Sequence, residues 1–427
     1  MNAPLRRRVA VVGSGIAGLT AAYRLAPHCD LTVFEQNTWI GGHTHTVNVT
    51  VDGREYAVDT GFIVFNEWTY PRFLQLLSEI GLSYQNTDMS FSVTSETTGI
   101  EYAGTNLSTL FAQRKRIFSP SYHRFLLDIM RFNKQAIRDL EASVLTAELT
   151  LADYLRGQGF SELFKSHYLL PMAAAIWSSD LDDVDQMPAL FFIRFFKNHG
   201  LLSVTDRPQW YTLPGGSSTY IKPLTASFAD RIRLNTSVRR VYRGDQGVAV
   251  ETENGVEWFD GVVLASHSDQ SNRLLDESES AHKALLQGIP YADNDVVLHT
   301  DTGQMPKSRR AWASWNYQIG AHSSGAGAVV TYDMNRLQNI EGPAQFFVTL
   351  NNTDAIDSDK ILGQWTYAHP QFGPRSLSIQ GQIDEVNTAC PIVLAGAWCR
   401  NGFHEDGVVS GEKAANHLLH TLAVACR

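Results

Sequence analysis

The chain has 427 residues, a formal charge of −9, and 44% hydrophobic against 19% charged residues. The length accommodates two domains with real cores, and the apolar fraction excludes disordered and fibrous classes. The acidic balance excludes general nucleic-acid binding, which needs a basic surface to neutralise phosphates.

The cysteines, Cys29, Cys390, Cys399 and Cys426, form no CxxC pair. Neither a metal site nor a disulfide framework is expected, and a reducing, cytoplasmic setting fits.

At the N-terminus, Arg6-Arg7-Arg8 followed by the apolar run Val9–Ala22 imitates a signal peptide. The run nevertheless contains three phased glycines and precedes a second strand ending in an acid, so it reads as mature structure. Val9-Ala10-Val11-Val12 is an apolar run suited to a strand buried on both faces, and it leads into Gly13-Ser14-Gly15-Ile16-Ala17-Gly18. The first glycine permits a tight turn, the second lets a pyrophosphate reach the backbone, and the third lets the helix over 16–25 pack on the strand. That helix then presents free N–H groups to the phosphates. A second strand, Leu31–Phe34, ends at Glu35 and Gln36, where a carboxylate accepts ribose hydroxyls.

Next come Gly41-Gly42-His43-Thr44-His45-Thr46, a strand pair around Val47–Val51 and Glu55–Val58, and Asp59-Thr60-Gly61-Phe62-Ile63. Residues 66–165 read mainly as helices, from the apolar spacing in Phe73-Leu76-Leu77-Ile80 and Phe125-Ile129-Phe132-Ile137, with a short strand around Phe91–Val93. Between Ser108 and Arg138 seven basic residues stand against Asp128 alone, interleaved with Leu110, Phe111, Ile117, Phe118 and Phe125–Leu127. Such a stretch reads either as a basic amphipathic surface for anionic lipid or as a solvated helix with its apolar side on the core. The apolar, aromatic runs Pro171–Trp177 and Leu190–Phe196 read either as the walls of a substrate tunnel or as ordinary core. No stretch is long and apolar enough to span a bilayer; Arg194 and Lys197 interrupt the nearest one.

Further on, Leu213-Pro214-Gly215-Gly216-Ser217 forms a turn before a helix over 219–229. A strand over Ile232–Val238 follows, then a hairpin of Val248–Val250 and Glu257–Phe259, and the strand Gly261–Ser266, which includes Ala265. The region 290–367 is rich in β-branched and aromatic residues and predicts a sheet. At the end, Pro391–Trp398, with Gly396 and Ala397, is a buried strand, and a helix through Gly407, Val408 and Val409 aims its N–H groups at whatever the strand ends face.

Taken together, these segments resemble the flavin amine oxidase and phytoene desaturase superfamily. They are most similar, in Gly41–Thr46 and Gly402–Gly407, to bacterial amine-oxidase-like flavoproteins associated with modified fatty acid synthesis. The resemblance implies an α/β, glutathione-reductase-like FAD-binding Rossmann domain from 1–65, 206–275 and 386–427. A mixed α+β substrate domain, 66–205 with 276–385, is then inserted over the flavin. It implies non-covalent FAD, held through the glycine turn, Glu35, Gln36, residues 41–44 and 60–63, Pro214–Gly216, Val238, Ala265, Gly396, Ala397 and 406–409.

His43 stands where these flavoproteins usually place an arginine, and Ala397-Trp398 where relatives commonly have an acid. His404, Glu405 and Asp406 are the proton-handling candidates, with His369 behind them, while capping is the alternative role for Asp406. The expected function is oxidation or desaturation of an apolar, acyl-type substrate. Double-bond isomerisation, amine oxidation and a non-enzymatic flavin sensor stand as the alternatives.

Overall fold

The computed structural model describes residues 6–424 apart from 204, 321–326 and 389; Cys426 lies outside them. Strand β1 (Arg8–Val12) lies between β2 (Asp30–Phe34) and Gly261–Leu264, all parallel, with Val9 opposite both Leu31 and Gly261. Ile232–Arg233 extends the sheet beyond β2 and Ile392–Leu394 extends it on the other side, giving five parallel strands. Val9 and Val11 face helix α1 (Ile16–Leu25) and the C-terminal helix His404–Val424. Ala10 and Val12 pack against an antiparallel meander of Val238–Gly244, Gly247–Thr252 and Gly255–Phe259. Coverage on both faces explains why β1 is uniformly apolar rather than alternating.

Three expected elements are redrawn. The strand expected over 232–238 stops at Arg233, because Asn235 turns the chain with a φ of 52° before the meander begins at Val238. The helix expected over 219–229 shrinks to a 3₁₀ turn, Ser217–Tyr220, and Ile221–Thr225. Pro223 has no N–H to donate there, and the Thr225 hydroxyl bonds back to the Ile221 carbonyl. The C-terminal helix starts at His404, not at Gly407.

The second layer is a seven-stranded sheet in the order Ile361–Pro370, Tyr291–His299, Phe347–Leu350, Val330–Asp333, Trp315–Ile319, Phe91–Ser95, Glu101–Ala103. Its pairings are antiparallel except between Trp315–Ile319 and Phe91–Ser95. Helices cover it, among them α3 (Leu107–Leu110) and α4 (Pro120–Glu141), whereas α2 (Pro71–Glu79), expected within the inserted region, buries Phe73, Leu76 and Leu77 in the core of the first layer beside the C-terminal helix. Helix α4 begins cleanly because Ser119 accepts the Tyr122 N–H and Pro120 occupies the first turn. Phe125, Phe132 and Ala136 bury its inner side. Among the described residues no helix is long and apolar enough to cross a membrane.

Candidate functional site

A cavity of about 1430 Å³ runs from the glycine turn to the flank of α4. Its first stretch is lined by Gly13, Gly15, Ile16, Ala17, Glu35, Gln36, Gly41, Gly42, His43 and Thr44. The middle is lined by Thr60, Gly61, Phe62, Ile63, Val238, Ala265, Gly396 and Ala397. The far end is apolar, with Met89, Phe91, Leu110, Leu126, Ile129, Met172, Ile176 and Phe195. The aromatic segment 168–196 divides between its two readings. Tyr168, Met172, Ala175, Ile176, Trp177 and Phe195 face the cavity, while Ala173, Ala174, Phe192 and Phe196 are core.

The first stretch is built to hold a dinucleotide phosphate. Helix α1 starts at the cavity wall with Gly15 as its N-cap, no side-chain cap and no acid in its first turn, although Ile16 and Ala17 are buried. Unsatisfied N–H groups at a buried helix start are a preformed anion site. A Cβ at Gly15 would meet no protein atom within 4 Å, so this position opens toward the ligand space. At Gly18, off the cavity, a Cβ would lie 1.9 Å from the Gly13 carbonyl oxygen. That glycine serves the close approach of helix to turn. The Glu35 carboxylate ties the two ends of the motif together, accepting the Ser14 N–H at 2.9 Å, the Ser14 hydroxyl at 2.7 Å and the Asn37 N–H at 2.8 Å.

Several expected contacts lie elsewhere. Pro214, Gly215 and Gly216 line a separate pocket beside Gln338–Gly342, and their turn presents the Ser217 N–H and hydroxyl to buried Asp59. Gly407, Val408 and Val409 do not line the cavity. A Cβ on Gly407 would meet Ile16 at 2.5 Å, so this glycine lets the C-terminal helix seat on α1.

The proton-handling trio is also split. Glu405 accepts the Arg72 and Phe73 N–H groups at 2.9 and 2.8 Å and so caps α2, which has no side-chain cap of its own. Asp406 accepts the Phe403 N–H at 3.0 Å, the return half of a capping box at the start of its own helix. Neither carboxylate lines the cavity, and both are corrected to structural roles, since helix starts next to the site need acceptors. Burial pushes the Asp406 carboxyl up to about 6. Its contribution to stability is therefore fully present below its unfolded value near 4 and is lost as pH rises through about 6. Asp406→Asn keeps a capping oxygen, so thermal unfolding across pH 4–7 is expected to lose this component, on the order of 1–3 kcal/mol.

His404 remains in the cavity wall. Its ring stacks on Phe62 with centroids 3.6 Å apart, and Nε2 shares a hydrogen bond of 3.1 Å with the Tyr220 hydroxyl, which reaches Thr44 at 2.7 Å. Burial holds it neutral, with a pKa near 3.

Sequence reasoning missed the neighbours of His43. Its ring stands 5.2 to 5.8 Å from Tyr367, His369 and His267, and its Nε2 is buried without a hydrogen-bond partner. Burial, then the neighbouring histidines, keep His43 well below its usual range, so it stands neutral where an arginine would bring a charge. His369 is lowered to about 4 by burial, and Asn294 Nδ2 donates to its Nδ1 at 3.1 Å, which leaves the proton on Nε2. The period-two spacing Trp365, Tyr367, His369 was the available signal, since alternate strand residues share a face.

A family model described as flavin containing amine oxidoreductase matches residues 16–311. A Mycobacterium tuberculosis protein assigned as a flavin-containing monoamine oxidase, AofH, is 23% identical over 376 residues, covering 83% of this chain and 77% of that one. Cyclohexylamine oxidase from Brevibacterium oxydans superposes with a TM-score of 0.68 at 16% identity, over 98% of this chain and 100% of its own. A CLA-producing fatty acid isomerase from P. acnes gives a TM-score of 0.66 at 16% identity, over 97% of this chain and 98% of its own. With an uncapped helix start, a glycine turn and an acid-ended second strand gathered on one cavity, the chain belongs to the flavin containing amine oxidoreductase family and is an FAD-dependent oxidoreductase.

Proposed function

We propose that this flavoprotein oxidises or desaturates a long apolar chain of the acyl type. The observation that carries the reading is the far half of the cavity, whose wall from Met89 and Phe91 to Leu126, Ile129, Met172 and Ile176 solvates a hydrocarbon chain. Asp88, beside Met89, stands against a much larger apolar surface, while Asp293 lies opposite Ala368 beside the histidine cluster. The likeness in fold to a fatty acid isomerase supports the same substrate class.

When bound, FAD would supply the electron-accepting chemistry. The residues that would hold it are those of the glycine turn, Glu35, Gly41–Thr44, Thr60–Ile63 and Gly396-Ala397. The chain itself contributes position and dryness. Phe62 and His404 make a rigid, uncharged wall, and Tyr220 fixes the His404 ring. His369 offers an N–H donor to the cavity without bringing a charge.

Lipid mass spectrometry of deletion and overexpression strains tests the reading. New unsaturation is expected; double bonds shifted without net oxidation would make the protein an isomerase, and unchanged lipids with turnover of a primary amine would make it an amine oxidase. The purified protein is further expected to be yellow and to release intact FAD on acid precipitation, because among the described residues no cysteine lines the cavity. Flavin remaining on the precipitated polypeptide would contradict non-covalent binding.

A further inference from the structure

The cavity reaches the surface between α3 and α4. Leu107 and Met130 line it and are at the same time 73% and 55% exposed, which places them at its mouth. Close by, Phe118 is 87% exposed at the end of the 3₁₀ turn Arg114–Phe118, and Leu127 is 57% exposed on the outer side of α4. These elements form one unit: the Tyr122 hydroxyl donates to the Leu110 carbonyl, and the His123 ring bonds the Ile117 carbonyl.

Charge surrounds the same mouth. Asp128 pairs with Arg124 and Arg131, but Arg114, Lys115, Arg116 and Lys134 form no ion pair among the described residues. On the wheel of α4, Lys134 and Arg131 flank Leu127, and Met130 lies between them and the cavity flank of Leu126 and Asn133. A chain of net charge −9 thus concentrates unpaired cations and exposed apolar side chains at the opening of its apolar cavity.

We propose that this face, α3 through the outer side of α4, docks on an anionic phospholipid bilayer and turns the cavity mouth to the lipid. Apolar side chains enter the interface while basic residues meet the headgroups, and the two contributions act together. An apolar substrate then passes from bilayer to flavin without crossing water, a consequence that rests on the acyl-chain reading above, whereas the docking does not.

The test uses the FAD-loaded protein and vesicles of phosphatidylcholine with or without phosphatidylglycerol. Co-sedimentation is expected only with phosphatidylglycerol, and high salt should weaken it. Combined Arg114→Glu, Lys115→Glu and Arg116→Glu should reduce binding about tenfold or more with FAD content unchanged. An environment-sensitive fluorophore on Leu107→Cys should shift to the blue on these vesicles, while the same label on Glu253→Cys should not. This labelling reads orientation even if the triple variant fails to fold. Wild-type protein that stays in the supernatant with both vesicles overturns the proposal and leaves the face to a protein partner; a blue shift at residue 253 and none at 107 overturns it equally. Because no substrate is present, failure of the acyl-chain reading leaves these results standing.

Discussion

Gly15→Ala is expected to cost the apoprotein no more than about 1 kcal/mol, the loss that alanine brings as a poorer N-cap than glycine. Its backbone angles, φ −63° and ψ 172°, suit any residue, and the added Cβ meets no protein atom within 4 Å. That methyl would occupy the space through which a pyrophosphate reaches the first N–H groups of α1, so FAD affinity should fall on the order of 100-fold, the equivalent of losing one or two hydrogen bonds to a charged group. Gly18→Ala should do the reverse. Its Cβ would sit 1.9 Å from a backbone oxygen, forcing α1 off the turn at a cost of about 1–3 kcal/mol or more in stability. Thermal unfolding of the two apoproteins and titration with FAD separate these outcomes. A destabilised Gly15→Ala apoprotein, or one that binds FAD normally, would mean that the cavity end has been assigned to the wrong ligand.

The second large effect belongs to Glu35. Glu35→Ala removes the acceptor for the buried Ser14 N–H and hydroxyl and for the Asn37 N–H. Each buried donor left unpaired costs about 1–3 kcal/mol. Apoprotein stability is therefore expected to drop by a few kcal/mol, and FAD affinity by about 10- to 100-fold, since hydrogen bonds to a charged group are worth about 1.5–3 kcal/mol. Glu35→Gln keeps one acceptor oxygen and should recover most of the stability but less of the affinity. Equal stability of all three apoproteins would show that the carboxylate serves the cofactor alone.

The uneven legibility of the site follows from the range of the interactions. The strand, turn, helix, strand and acid over residues 8–35 could be read because each requirement is local: apolar burial on both faces, a glycine where backbones approach, an acid at a strand end. The same locality made the hairpin of the meander and several strands of the second sheet recognisable. Spacing also led to His404, Glu405 and Asp406, but not to what they touch. Glu405 meets α2 from 332 and 333 positions away along the chain, and no pattern in either segment announces that contact.

By itself the sequence determined the dinucleotide fold and the apolar character of the inserted region, because these depend on residue type and short spacing, while the flavin class followed from the resemblance of its motifs to a known superfamily. Only the tertiary structure decided which acids cap helices and that His43 joins His267 and His369 as a neutral cluster. It alone showed that the basic stretch, from the 3₁₀ turn Arg114–Phe118 into α4, borders the mouth of the cavity. Those properties depend on burial and on neighbours brought together by sheet order, and the chain acquires both only when it folds.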